Sequence, residues 1–104
     1  MGTTQIKPKL NALIAKIKSL EKNTLEHWFL FDENKIMGND IDIVLKVSDE
    51  TDVVLLTKKI IPLLIEFMKE NNIFIACFPI NECEFNVGSK NSQFIKNVEN
   101  YGKK

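Results

Sequence analysis

Two aspartates, Asp40 and Asp42, stand at the head of an apolar stretch that ends at Val47. From Asp40 onward polar and apolar residues alternate, which is typical of a half-buried strand. The two carboxylates therefore share a face, with Cα atoms about 7 Å apart at a rise of roughly 3.3 Å per residue. At that spacing both can bind one hard cation such as magnesium. The plainer alternative, which two acids alone would favour, is that they end a strand and solvate its mouth.

The same alternation divides the rest of the stretch between two faces. Val44 and Lys46 follow the carboxylates on one face, and the opposite face is wholly apolar: Ile41, Ile43, Leu45 and Val47. The apolar face must lie against the core. We therefore expect Asp40 and Asp42 side by side on one strand, at the mouth of a cleft rather than in the core.

A second informative block lies near the other end of the chain. It reads Asn-Glu-Cys-Glu-Phe over residues 81–85 and Ser-Gln-Phe-Ile-Lys-Asn-Val over residues 92–98, followed by Gly102. Together with the aspartate strand, this block resembles the minimal nucleotidyltransferases, small DNA-polymerase-β-like proteins of bacteria and archaea. In that family an Asp-x-Asp pair opens a hydrophobic strand, and a short acidic turn precedes a Ser-Pro-Phe-(Ile/Leu)-x-Asn-Val helix. The resemblance covers about residues 10 to 104.

The resemblance implies transfer of a nucleoside monophosphate from a triphosphate to an acceptor, a reaction in which two metal ions activate the acceptor oxygen and stabilise the leaving pyrophosphate. It makes Asp40 and Asp42 the catalytic residues and the ligands of Mg²⁺ or Mn²⁺. Gly38, Asn39 and Lys46 become the residues expected to contact ATP or another nucleoside triphosphate.

Two departures from the family pattern put this activity in doubt. The family has a Gly-Ser pair at the end of its first strand, where this chain has Asp32 and Glu33, whose charges would repel a triphosphate. The family's third metal-binding carboxylate aligns with Phe74, which cannot bind a cation in this way. We therefore expect weak metal binding and slow or absent transfer, unless Asp32 or Glu33 serves as the missing ligand.

Three functions remain open from the sequence. The first is a nucleotidyltransferase-fold protein with a partly lost metal and nucleotide site, which acts with a small helical protein partner. The second is an antitoxin-like or other protein-binding module without catalysis, and the third is a homodimer whose apolar surface pairs with itself.

Composition limits the class of protein. The chain has 104 residues, enough for one domain over residues 1–104, and its 14 basic residues, all lysine, balance 14 acidic ones. Zero net charge and the lack of arginine argue against nucleic-acid binding. No apolar run reaches the length of a membrane span, and Met1 to Leu10 has no apolar core of a signal peptide. Cys77 and Cys83 lack metal-ligand spacing, so we expect buried or half-buried thiols and a cytoplasmic location.

The periodicity predicts an α+β, nucleotidyltransferase-like fold in the order α-β-β-α-β-α. The sheet is small and mixed, has about three strands and is covered mainly on one face. Helices are predicted after Pro8, from Val53 to about Lys69, and after a capping Ser92. Strands are predicted at His27–Phe31, antiparallel to the aspartate strand, and at Ile73–Pro79, covered on both faces. Residues 86–91 are expected to form a polar loop, residues 103–104 to fray, and His27, the single histidine, to pack rather than catalyse.

Overall fold

The computed structural model describes residues 3–31 and 41–104, and these form a three-stranded mixed sheet with helices, which confirms the predicted α+β class. The order is α-β-β-α-β-α-α, with one helix more than predicted. The elements are α1 (Thr3–Leu20), β1 (Thr24–Phe31), β2 (Ile41–Val47), α2 (Val53–Asn71), β3 (Ile75–Asn81), α3 (Glu82–Asn91) and α4 (Gln93–Tyr101).

The strand order is β1-β2-β3, so the strand that carries Asp42 is the middle one. β1 pairs with β2 antiparallel, as the sequence predicted, and β2 pairs with β3 parallel through the crossover helix α2. In this register Asp42 lies between Leu30 of β1 and Ala76 of β3. The pairing therefore determines which side chains border the candidate site.

One face of the sheet holds the larger core, which α1 and α2 cover. The apolar face of β2 is buried there, as its alternation predicted, together with Phe29 of β1. Most of the apolar residues that recur at helical spacing are buried as well: Leu10, Leu13, Ile14 and Ile17 of α1, and Leu56, Ile60, Leu64 and Phe67 of α2. Leu20, which the same spacing placed on the inward face of α1, is 43% exposed. Burial of about ten apolar side chains, at roughly 1.5–3 kcal/mol each, is the main stabilising term.

The other face of the sheet carries a second core beneath α3 and α4, so the expectation of a sheet covered mainly on one face is wrong. Trp28 of β1 stacks on Phe85 of α3, with ring centroids 4.9 Å apart. Val44 of β2 and Val98 of α4 are fully buried in the same cluster. Asp42 points to this face as well, because it is two residues from Val44 on the same strand.

Helix ends follow the local signals in part. The Asp52 side chain accepts from the backbone N–H groups of Val54 and Leu55 at the start of α2, and Ser92 accepts from Ile95 at the start of α4. Gly102 ends α4, as predicted. α1 begins at Thr3, so Pro8 lies inside the helix rather than in its first turn.

Residues 86–91 belong to α3, and the predicted polar loop is wrong. Gly88 lowers intrinsic helix propensity, which is why the stretch reads as a loop. Tertiary packing explains the glycine, since a Cβ there would lie 2.6 Å from Cγ1 of Ile95. Gly88 therefore permits α3 and α4 to approach each other closely.

Two further expectations are corrected at the edges of the sheet. β3 is an edge strand on which only Ile75 is buried and the other residues are half-buried, so it is not covered on both faces. Lys103 does not fray, because its backbone pairs with that of Phe29 on the outer side of β1. The two edges of the sheet thus differ in how they are covered.

Candidate functional site

Asp42 is the one predicted acidic ligand among the described residues, and it lies in the core. Its exposed fraction is 0%. The expectation that it stands at a cleft mouth is therefore wrong. Asp42 points to the face of the sheet that carries the second core. No buried side-chain nitrogen or oxygen of the described residues lacks a hydrogen-bond partner, so the buried carboxylate is compensated by polar contacts.

Among the described residues, the positions beside Asp42 on the two neighbouring strands offer no second carboxylate. Ala76 is its partner on β3, and Leu30 is its partner on β1. Phe74, the position predicted for the lost third ligand, lies just before β3 with its side chain 71% exposed. Its carbonyl accepts a hydrogen bond from the N–H of Ile41 at 3.2 Å. The backbone thus brings residue 74 to the start of β2, but its side chain has no metal-binding group.

Lys46 lies on the same face as Asp42 but at the far end of β2, about 13 Å along the strand at 3.3 Å per residue. Its Nζ lies 3.7 Å from Oε1 of Glu26 and 5.2 Å from the centroid of the Phe85 ring. The fully buried Val44 separates it from Asp42. The structure therefore engages Lys46 in an ion pair and a cation–π contact instead of placing it beside Asp42.

The other predicted site residues, Gly38, Asn39 and Asp40, lie outside the described residues. The same holds for Asp32 and Glu33, the possible substitute ligands. Within residues 3–31 and 41–104, no three His, Cys, Asp or Glu side chains come together in a way that could hold a metal ion. Described residues thus supply one of the two predicted ligands, and binding of Mg²⁺, Mn²⁺ or ATP stays a prediction.

Sequence reasoning missed Glu26, which has the most extensive ionic contacts in the described part of the chain. Besides Lys46, it contacts Lys104, whose Nζ lies 2.6 Å from its Oε2. The hydrogen bond from Lys104 and the charges of Lys104 and Lys46 lower the pKa of Glu26. The signal was present, since Glu26 alternates with Trp28 and Leu30 along β1 and pairs with Lys46 in register.

The histidine and the cysteines have structural environments. His27 is half-buried and its ring meets that of Phe29 edge-on, 5.4 Å between centroids, which confirms the packing role predicted for it. Burial raises the pKa of Cys77 to about 12, so this thiol is not ionised at neutral pH. Cys83 is exposed, contrary to expectation, because it lies in the first turn of α3; both thiols are free.

No family model, curated protein or solved structure matches this chain. No helix in the described part of the chain combines the length and apolar character needed to cross a membrane.

Proposed function

We propose that this chain is a nucleotidyltransferase-like domain that transfers nucleotide slowly or not at all and acts by binding another protein chain. The enclosed carboxylate of Asp42 is the observation that carries the proposal. A catalytic magnesium keeps several water molecules and binds substrate phosphate, so its protein ligand must reach an open cavity. Asp42, whose exposed fraction is 0%, does not meet that requirement.

The surroundings of Asp42 support the same proposal. When bound, the metal ions of such an enzyme would stabilise charge on the transferred phosphoryl group, commonly by several kcal/mol. Ala76 and Leu30 add no ligand at the two flanking positions, and Lys46 is held by Glu26. These residues do not fit a metal centre by themselves.

A transfer assay tests the proposal. The purified chain is incubated with labelled ATP and manganese, alone and with the product of the adjacent gene, and both proteins are examined by mass spectrometry. We expect a stable complex with the partner and no nucleotide adduct on either protein. An adduct that disappears in Asp40→Asn would establish an enzyme and overturn the proposal.

A gain-of-function variant sharpens the assay. Phe74→Asp returns a carboxylate to the position that the family resemblance assigns to the third ligand, and Phe74→Asn is the control of nearly equal size without the charge. Paramagnetic broadening by manganese measures binding in each variant. If the lost carboxylate limits binding, Phe74→Asp binds manganese more tightly than Phe74→Asn and the unmodified chain. Equal, weak binding in all three would locate the obstacle at the enclosed Asp42.

The second candidate function, protein binding by a homodimer, is favoured by a different observation. The outer edge of β3 is lined by apolar side chains, and exposed Phe74 stands beside it. Soluble proteins usually protect an edge strand of this kind with charge or with a covering element.

A further inference from the structure

The outer edge of β3 presents backbone groups ready for another strand. Ile41 donates to the carbonyl of Phe74, and Ile41 is the register partner of Ile75. In a parallel ladder this pattern turns the N–H and C=O of Ile75, and of every second residue after it, away from β2. The outward set is therefore Ile75, Cys77, Pro79 and Asn81. No backbone hydrogen bond among the described residues occupies the groups of Ile75 or Cys77 on that side.

The side chains along this edge lack the charges that usually discourage pairing. β3 contains no Lys, Arg, Asp or Glu, and its one protective residue is Pro79, which has no N–H to donate. A cavity of about 550 Å³ opens beside the strand and is lined by Phe78 on the sheet, Phe94 on α4 and Glu84 on α3, among others. Phe78 and Phe94 meet edge-on there, with ring centroids 5.7 Å apart.

We propose that β3 pairs antiparallel with β3 of a second copy of this chain, across a two-fold axis at Ala76, and that Phe74 of each copy enters the cavity beside Phe78 and Phe94 of the other. The three strands of each copy would then form one continuous sheet. This inference rests on the second candidate function proposed above, the homodimer, and adds the surface and the register through which the two copies bind.

Pro79 selects the register. With the axis at Ala76, Ile75 of one copy faces Cys77 of the other, and each such pair exchanges both of its hydrogen bonds. If the axis moves toward the C-terminal end of β3, Pro79 lies opposite Ile75 or Cys77. Because Pro79 has no N–H, backbone hydrogen bonds between the two strands are then lost. If the axis moves instead to Ile75, toward the N-terminal end of β3, Cys77 is paired with Ile73, which lies before the strand. The Ala76 register is thus the one that uses both outward residues fully.

The side chains fit the same register. Ala76 faces Ala76 of the second copy as a non-hydrogen-bonded pair, whose Cα atoms approach to about 4.5 Å, and the small side chain permits this. Phe74 faces Phe78 of the second copy on the same face. Aromatic cross-strand pairs stabilise sheets, and this one would bury a phenylalanine that is 71% exposed in the single chain.

The flank of α2 supplies apolar surface on the other face of the joined sheets. Thr57 lies at the cavity beside Cys77, and Ile61 and Ile65 follow it at helical spacing. Ile61 and Ile65 are 45% and 44% exposed. Because α2 packs on β3, the axis brings these residues toward α2 of the second copy. Apolar residues predominate on both faces of this edge, where Glu84 is the one charged residue among the described residues that line the cavity. Such a surface suits an isologous interface, in which each patch meets itself.

Sedimentation equilibrium over a wide concentration range tests the surface. We expect an equilibrium between monomer and dimer, with no larger species. Phe74→Lys should raise the dissociation constant by at least about tenfold, because each interface would bury two lysines at its aromatic contacts. Leu25→Lys on β1 is the matched control, since Leu25 is also exposed, at 48%, but lies on the other edge of the sheet. Its dissociation constant should equal that of the unmodified chain.

An NMR measurement tests the register independently of the mass. In a mixture of isotope-labelled and unlabelled chains, intermolecular contacts should join Phe74 to Phe78, and the amides of Ile75 and Cys77 should be protected from exchange. A chain that stays monomeric at its highest soluble concentration would overturn the proposal and leave the edge to a different protein. A dimer unchanged by Phe74→Lys, or contacts from Phe74 to Ile80, would overturn the surface or the register. The transfer assay measures nucleotide adducts, whereas sedimentation measures the dissociation constant of the dimer. The proposal on nucleotide transfer and the proposal on the dimer can therefore fail independently.

Discussion

The two edges of the sheet are covered in opposite ways. On the β1 edge, the N–H of Phe29 donates to the carbonyl of Lys103 at 2.7 Å, and the N–H of Lys103 donates back at 2.9 Å. Charges add to this cover, since Lys104 contacts Glu26 and Lys7 donates to the carbonyl of Lys104. β3 has no charged residue, and no described segment pairs its backbone with the outer edge of β3 in this way. The β1 edge is therefore protected against pairing with a strand of another chain, whereas the β3 edge lacks this protection.

The largest difference between the edges should appear when one phenylalanine on each side is truncated. Phe29 is fully buried, whereas Phe74 is 71% exposed. Phe29→Ala should lower the free energy of unfolding by about 3–5 kcal/mol, because it leaves a core cavity. Phe74→Ala should lower it much less when the chain is diluted below the dissociation constant of the proposed dimer, because this side chain is mostly exposed.

Urea denaturation of both variants measures this pair of effects. A large loss in Phe74→Ala at high dilution would show that Phe74 supports the single chain, and the contrast between the edges would then weaken. A loss that appears only at high concentration would be expected if Phe74 stabilises the dimer, because association shifts apparent stability by mass action.

The second effect concerns the closure of the β1 edge at Gly102. A Cβ at Gly102 would collide with the carbonyl oxygen of Val98 and would lie 2.9 Å from both Cβ and Cδ1 of Trp28. Gly102→Ala should therefore displace Lys103 from Phe29 and cost about 1–3 kcal/mol of stability. Hydrogen exchange at the amide of Phe29 should become faster.

Lys104→Ala is the control for that substitution. It removes the ion pair with Glu26 but leaves the backbone pairing of Lys103 in place. Because exposed ion pairs contribute about 0–1 kcal/mol, its loss of stability should be smaller. Protected exchange at Phe29 in Gly102→Ala would show that the edge tolerates the added methyl group.

Periodicity was sufficient to predict the larger core of this protein but not the second core on the other face of the sheet. The inward faces of α1 and α2 and the apolar face of β2 repeat at helix and strand spacing, and burial follows directly from that pattern. Alternation also placed Asp42 on the opposite face, yet it carries no information about a covering element. α3, which contributes Phe85 to the core on that face, was itself missed, because Gly88 makes it resemble a loop and is explained only by contact with Ile95.

The edges were hidden from the sequence for a related reason. The apolar residues of β3 resemble those of a strand buried on both faces, because the pattern does not record how many neighbours a strand has. Lys103 similarly reads as a frayed terminus until Phe29 is found beside it. Contacts between residues distant in the chain decide both cases, whereas local propensity reports only on near neighbours.

The smallest effect is a pH dependence of the β1 edge through His27. Burial is the largest cause that lowers the pKa of His27. The positive charges of Lys18 and Lys7 on α1 and of Lys104 at the β1 edge lower it further. Because the folded pKa lies below the ordinary value of 6.5, the unfolded chain binds a proton more readily. Stability should therefore fall as pH decreases from above 6.5 through the folded pKa. Urea denaturation at several pH values should show a shallower decline in His27→Gln, whereas an unchanged slope would mean that carboxylates such as Glu26, whose pKa is lowered by Lys104, dominate at lower pH.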